Sequence, residues 1–360
     1  MKTNRLLLFL ALALLALTLS ACGGTPAAAT WPGLAADETA AYLANGSVVI
    51  AVRLSDGEEL WSFPEKPGAK LIFYSNPVFT SDGNLLVGSS GAEHTLFRVD
   101  SETGKETWSF SGARDQWVAS PLVDGEMVYA PNADGTLYVF DMAMEGNNKL
   151  AWKVELSGKL WAQPVSDGKR LYITSLDHTI HTVDLKTHEA STRTFLGGAI
   201  PGMPAQGEGQ LYIGSFDSAM VAVNTEENSI AWTTPVESWI WGGPALNGGR
   251  LFFGDLDGNF YTLDAATGDI LDSFKPDGAI LATPLILNGQ VVIFVSEDGT
   301  VYSLTPGENP QSMEKLDGKL YTAPVAAGNI LLIAPFQGEF LLVALDMDGK
   351  EEWHYPMAQK

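Results

Sequence analysis

Few side chains in this sequence are spaced for covalent or metal chemistry. Cys22 is the single cysteine, which excludes disulfides, a CxxC redox pair and a thiol nucleophile anywhere downstream. It closes the stretch "LSAC" (19–22), after a basic start at Lys2 and Arg5 and an apolar run too short to span a bilayer. Small residues before such a cysteine read as a bacterial lipobox, in which Cys22 is lipidated and becomes the new N-terminus. The competing reading is a plain secretory signal with a chance cysteine. "DLDGN" (255–259) has the look of a calcium loop but lacks the remaining ligands and falls on a hairpin turn. "HTIH" (178–181) runs from a turn into a strand, where i and i+3 point to opposite faces. The five histidines form no ligand pattern and no Ser/His/Asp arrangement stands out. No catalytic residue, metal or other cofactor is therefore expected.

Aromatic chemistry is better represented. "ESWIWGGP" (237–244) sets Trp239 and Trp241 one residue apart, which in an extended chain gives them one face and Ile240 the other. Two indoles side by side are either core or a surface built to hold something.

The elements that position these residues follow from repetition. Pro77, Pro121, Pro164, Pro204, Pro244, Pro284 and Pro324 are spaced by 44, 43 and then 40 residues four times, and Pro32 opens the series. A period of 40–45 with turn residues at fixed offsets signals a propeller or solenoid. Within each period short β-type runs alternate with turn dipeptides, such as Asp124-Gly125 then Asp134-Gly135, or Asn247-Gly248 then Asp257-Gly258. A fourth run follows, as in "KETWSF" (105–110) and "EEWHYP" (351–356). Four strands per unit make a propeller blade, and the lack of long 3.6-period stretches excludes a helical repeat. Eight units fit between residues 31 and 356. The expected fold is an all-β, eight-bladed propeller over 31–360, preceded by a signal peptide (1–22) and a flexible tether, "GGTPAAAT" (23–30). The route by which the ring closes stays open, because the first strand of unit one is weak.

Aligned on these prolines, the residues of the innermost strand of each unit sort by position. Four before stand Phe73, Trp117, Leu160, Ile200, Ile240, Ile280 and Leu320, all large and apolar, a core row. Two before, the residues are small: Ser75, Ala119, Ala162, Gly202, Gly242, Ala282 and Thr322. Three and five before, the rows mix Tyr, Trp, Lys, Gln and Ala. Tyr74, Trp117, Trp161, Trp239, Trp241 and Tyr321 form the candidate binding mouth around the channel. The alternative is that these rings pack under loops or plug the channel.

The turn before the fourth strand carries a specific motif. "RVDSETGKETW" (98–108) fits A-x-D-x-x-T-G-x-x-x-W, in which glycine takes the positive φ, aspartate binds turn amides and tryptophan packs between blades. The pairing recurs as Gly57/Trp61, Gly104/Trp108, Asn148/Trp152, Asn228/Trp232 and Gly349/Trp353, with asparagine as the next-best left-handed residue. Those five tryptophans are the expected blade-docking residues. Thr192 and Asp272 replace the tryptophan in units four and six, and unit seven has no clear match. This motif resembles the PQQ-like repeat of quinoprotein propellers, across essentially the whole chain after residue 30. The family has two relevant branches: quinoprotein alcohol dehydrogenases, which bind PQQ and calcium, and shorter lipidated propellers of the BamB type, which bind protein partners without a cofactor. The dehydrogenases typically place an adjacent cysteine pair under the cofactor, and this chain has no such pair.

The resemblance to the second branch implies a non-catalytic, membrane-anchored scaffold with protein partners in the cell envelope. In a cell with two membranes, the Gly23 that follows Cys22 resembles the outer-membrane sorting signal. In a single-membrane cell an extracellular adaptor or sensor is the better reading. A PQQ-dependent dehydrogenase and a small-ligand receptor remain the alternatives. The net charge of −22 repels phosphate backbones and anionic headgroups. Nucleic-acid binding is therefore not expected, and membrane attachment falls to the lipid. The expected working unit is a monomeric propeller.

Overall fold

The computed structural model describes residues 31–73 and 75–356. The expected signal peptide, Cys22, the expected tether and Tyr74 lie outside the described residues. The chain from Trp31 onward folds as eight four-stranded antiparallel sheets, each made of four consecutive strands. They span residues 33–63, 78–110, 122–155, 165–195, 205–235, 245–274, 285–315 and 325–355. This is the expected eight-bladed propeller.

In every blade the inner strand begins one residue after a proline of the repeat. Gly33 follows Pro32, Val78 follows Pro77, and the register holds through Val325 after Pro324. Proline lacks a donor and has a fixed φ, so it suits the residue just before a ladder starts. Blade six shows the plan: Ala245–Asn247, Arg250–Gly254, Phe260–Asp264 and Ile270–Phe274, running from the channel to the rim. The second and third strands are the most buried in each blade, and their side chains form the inter-blade cores.

The third and outer strands slip register once in each blade. In blade one Trp61 faces Ala51 while Glu59 faces Val52, so Leu60 is the extra residue. A bulge of this kind twists the strand and re-aims its neighbours. It accounts for the exposure of Leu60 and Leu271, the extra residues in blades one and six; in blade five the extra residue is the exposed Ala231. The next residue, tryptophan in five blades, is turned toward the following blade.

Each tryptophan docks on the turn of the next blade, not on its own. Trp61 Nε1 donates to Ser101 O (2.9 Å), Trp108 to Asn147 O (2.8 Å), Trp232 to Ala265 O (3.1 Å) and Trp353 to Leu54 O (2.7 Å). In three of these the indole lies against the turn glycine: a Cβ on Gly104 would sit 2.7 Å from the Trp61 ring, one on Gly57 2.7 Å from that of Trp353 and one on Gly268 2.6 Å from that of Trp232. Trp152 instead stacks on His188 at 4.2 Å, a histidine that itself takes φ 61° in the blade-four turn. Asparagine is left-handed at Asn228 (φ 54°) as expected, but Asn148 is not. The longer blade-three turn takes its left-handed residue earlier, at Gly146 (φ 76°).

The blades without tryptophan use other contacts. Met313 of blade seven packs on Gly349 of blade eight. Between blades six and seven, Phe260 and Phe294 stack at 3.9 Å, and Gly307 has open space where a docked ring would be. The ring closes without exchanging a strand. Blade eight supplies all four of its own strands, and Trp353, with the mixed cluster around Leu34, Leu43, Leu332 and Leu342, joins it to blade one.

Candidate functional site

The residues expected to lie in the inner strands instead form the connections that cross one face from rim to channel. Residues 236–244, the stretch with Trp239 and Trp241, lie between the outer strand Ser229–Pro235 and the inner strand Ala245–Asn247. A repeated set of backbone bonds holds this path. Ile240 N donates to Ser215 O of blade five (3.3 Å), and Leu256 N of blade six donates to Trp239 O (3.0 Å). The same pair recurs as Ile280 N to Asp255 O (3.0 Å) and Glu297 N to Ala279 O (2.8 Å) one blade on. Each connection is thus clamped between the second-to-third strand turns of two blades. The row four residues before proline is buried, as expected. The row two before lines the narrowest ring, where a Cβ on Gly242 would meet Leu281 O at 2.4 Å.

Clamping sends the side chain five before proline over the turn of the preceding blade. Trp239 is 51% exposed and stacks on Phe216 of blade five, centroids 5.0 Å apart at 16°. Phe216 also touches Trp241, at 5.5 Å. At the equivalent station between blades seven and eight the pairing is ionic. Lys319 Nζ lies 2.6 Å from Glu297 Oε1, and Tyr321 donates its hydroxyl to the same oxygen at 2.8 Å. The bond from Lys319, then that from Tyr321, holds the Glu297 carboxyl below its ordinary range. Lys319 also lies over the Tyr321 ring at 5.9 Å.

The aromatic row three before proline falls in alternate blades: Trp161, Trp241 and Tyr321 in blades four, six and eight. Trp31 completes the cluster. Its ring meets Trp241 at 5.7 Å, nearly edge-on, and Tyr321 at 5.5 Å. It reaches past blade seven to link blades six and eight, and the next carbonyl, Pro32 O, accepts a bond from Thr322. Trp31 escaped the alignment because it stands one residue before its proline, outside the rows two to five before. Its one sequence signal is its place beside Pro32, the first proline of the series.

The structure gathers Trp239, Trp241 and Tyr321, with Trp31, Phe216 and Phe336, on one face. Trp161 is half-buried, and its enclosed indole N–H has no acceptor among the described residues. Trp117 does not belong to the mouth. It is 1% exposed, packs on Tyr138 and Phe110, and donates to His94 O at 3.2 Å. Its place in the large-apolar row was the correct indicator: side chains there point into the blade.

Aspartates ring the same face at the third position of the turn: Asp134, Asp177, Asp217, Asp257 and Asp298 in blades three to seven. Asp134 is buried beside Arg114. Desolvation there would raise its pKa, but bonds from Arg114 N, Tyr138 and Thr136 outweigh it and leave the carboxyl below the usual range. Asp298 pairs with Lys315 at 2.7 Å, and Asp177 faces His181 Nε2 at 4.0 Å. Asp217 and Asp257 are exposed and make no ion pair among the described residues. Asp255 of "DLDGN" is fully buried. Its carboxylate accepts from Asn259 Nδ2 (2.8 Å), Tyr261 OH (3.1 Å) and the amides of Asp257 and Asn259. Those bonds make it a turn residue. Of "HTIH", His178 sits in a turn at φ 73° and His181 is 1% exposed, with Nε2 3.0 Å from Ser157 O.

Comparison with known proteins gives a family and a fold. The family model described as outer membrane protein assembly factor BamB matches residues 44–149, 183–305 and 232–360. Among solved structures, BamB from Moraxella catarrhalis superposes with a TM-score of 0.71 at 17% identity, covering 86% of this chain and 94% of that one. The computationally designed Ika8 protein gives 0.69 at 16% identity, covering 89% and 98%. A chain of the mitotic checkpoint complex gives 0.63 at 14% identity, covering 78% and 90%. At these identities the likenesses show the fold alone. No curated protein matches the chain in sequence.

Proposed function

Because the chain belongs to the BamB family of outer membrane protein assembly factors, we propose that it is a non-catalytic propeller lipoprotein that holds protein partners in the cell envelope. Lipid at Cys22 tethers it through residues 23–30, and the Gly23 that follows directs it to the outer membrane. One propeller per chain is the working unit. The observation that carries the reading is the half-exposed Trp239 stacked on Phe216, beside Trp241, Trp31 and Tyr321. Rigid exposed aromatics are the commonest anchors of protein interfaces, since they offer large area at little entropic cost. The bonding of Asp255 supports a non-catalytic role, because the one calcium-like stretch is saturated by its own turn.

The test replaces Trp239 with a photo-crosslinking residue in the lipidated protein and irradiates intact cells. Capture of a β-barrel assembly subunit is the expected result. Absence of any protein adduct, with normal expression and membrane attachment, overturns the mouth as a partner surface.

A further inference from the structure

The two aromatic stations of the mouth differ in one respect. Between blades seven and eight the protein assembles a complete trio: a cation (Lys319), a ring beneath it (Tyr321) and a carboxylate bound to both (Glu297). Between blades five and six the rings are larger and more open, and carboxylates are present, but the cation is missing. Trp239 and Phe216 form the platform. Asp217 follows Phe216 in the same turn, and Asp257 follows Leu256, whose amide is bonded to Trp239 O.

The equivalent aspartates elsewhere in the ring are engaged. Asp134 has Arg114 and Asp298 has Lys315, and Asp177 is partly buried 4.0 Å from His181, whose charged form burial disfavours, whereas Asp217 and Asp257 stand exposed without a basic partner among the described residues. The lysine of this sector, Lys275, is 3.9 Å from Glu237, two residues from Trp239, and is itself exposed. The Asp217 carboxylate rests on Gly197, where a Cβ would come within 2.0 Å of Oδ2. The neighbouring connection carries only the small residues Gly197, Gly198 and Ala199 beside Asp217 and Phe216.

Resting on the scaffold reading, we propose that the blade five–six sector takes a basic side chain, an arginine above all, from an extended segment of a protein partner. The guanidinium lies on the Trp239 ring, and Asp217 and Asp257 neutralise it from either side. Trp is the best face for a cation, and a planar guanidinium stacks where an ammonium only touches. The trio at blades seven and eight shows the same chemistry completed within the chain. The net charge of −22 adds long-range attraction for a basic segment.

The experiment titrates full-length lipidated protein, in detergent micelles, with a fluorescent Gly-Arg-Gly-Arg-Gly peptide and its citrulline counterpart, which keeps the shape and loses the charge. The arginine peptide binds more tightly, with a salt-dependent preference of about tenfold. Trp239→Ala removes that preference, Trp239→Phe keeps most of it, and the Asp217→Asn, Asp257→Asn double variant lowers it roughly fivefold and flattens its salt dependence. Equal binding of the two peptides at low salt overturns the proposal, as does an unchanged preference in Trp239→Ala. Failure here is separable from failure of the scaffold reading. A partner crosslinked in cells through a segment without Lys or Arg overturns the basic-side-chain proposal and leaves the scaffold standing.

Discussion

The rim and the mouth of this propeller use the same residue for opposite ends. At the rim, Trp61, Trp108, Trp232 and Trp353 give their indole N–H to a turn carbonyl of the next blade, and all but Trp108 lie against a glycine of that turn. At the mouth, Trp239 lies against another ring, with half its surface in solvent. The cause is the backbone beneath each. A bulge in the outer strand turns the rim residue toward the next blade, where an open glycine turn receives it. The mouth residues stand on a connection pinned by bonds to two blades, which fixes their direction without giving them a socket. Tryptophan is therefore structural where the next blade supplies a seat, and available where it does not.

The sharpest way to break that distinction is a matched pair of truncations. Trp353→Ala opens the seam between the last and first blades, losing a 9%-exposed ring and its bond to Leu54 O, and should cost about 3–5 kcal/mol. Trp239→Ala should change unfolding free energy by no more than ~0.5 kcal/mol. Urea unfolding of both variants decides it, and similar losses at the two sites would abolish the distinction. Next in size is the seat itself. Gly104→Ala places a methyl 2.7 Å from the Trp61 ring at φ 69° and should cost roughly 2–3 kcal/mol. Gly307 has a φ of 94° but open space around it, so Gly307→Ala should cost only about 1 kcal/mol, from backbone strain alone. Equal effects would mean that ring contact at the seat contributes little.

Gly307 also offers a gain. Blade six carries the outer-strand bulge but ends it with exposed Asp272, so the seat in blade seven is empty. Asp272→Trp should dock there and raise stability by about 1 kcal/mol, read as a higher melting temperature. An unchanged or lower melting temperature would show that the bulge and the glycine do not suffice to seat a ring.

The fold was legible because its cues are local and recur: a proline before each inner strand, Asp-Gly or Asn-Gly at the hairpins, glycine and tryptophan at the rim. Repetition lets each weak cue confirm the others. The mouth was legible only as rows of residues. Whether a ring in a row is covered depends on the turn of a neighbouring blade some twenty residues away, as Phe216 is from Trp239. Trp117 shows the cost of that, since its row position indicated core and its chemistry suggested mouth. Trp31 could not be placed in any row, because its contacts with Trp241 and Tyr321 exist only once the ring has closed. Asn148 was misassigned for a simpler reason: the blade-three turn is longer than its counterparts, and the offset from tryptophan no longer marks the left-handed residue.

The smallest predicted effect concerns the ionic station. Glu297 is held below the ordinary carboxylate range, first by the bond from Lys319 and then by that from Tyr321. The unfolded chain therefore takes up this proton at a higher pH than the folded one. The pair contributes stability above about pH 4.5, and that contribution fades as the pH falls through the lowered folded value. Both side chains are at least a third exposed, so solvent screening limits the contribution to a few tenths of a kcal/mol. Glu297→Gln should leave the melting temperature at pH 7 within error of the parent. It should nevertheless free the Tyr321 hydroxyl, lowering the tyrosine pKa that burial and Glu297 together hold up, as an ultraviolet titration of the phenol would detect. A large stability loss in Glu297→Gln would instead make the ionic station structural. The mouth would then contain both kinds of site that the comparison assigns to separate regions.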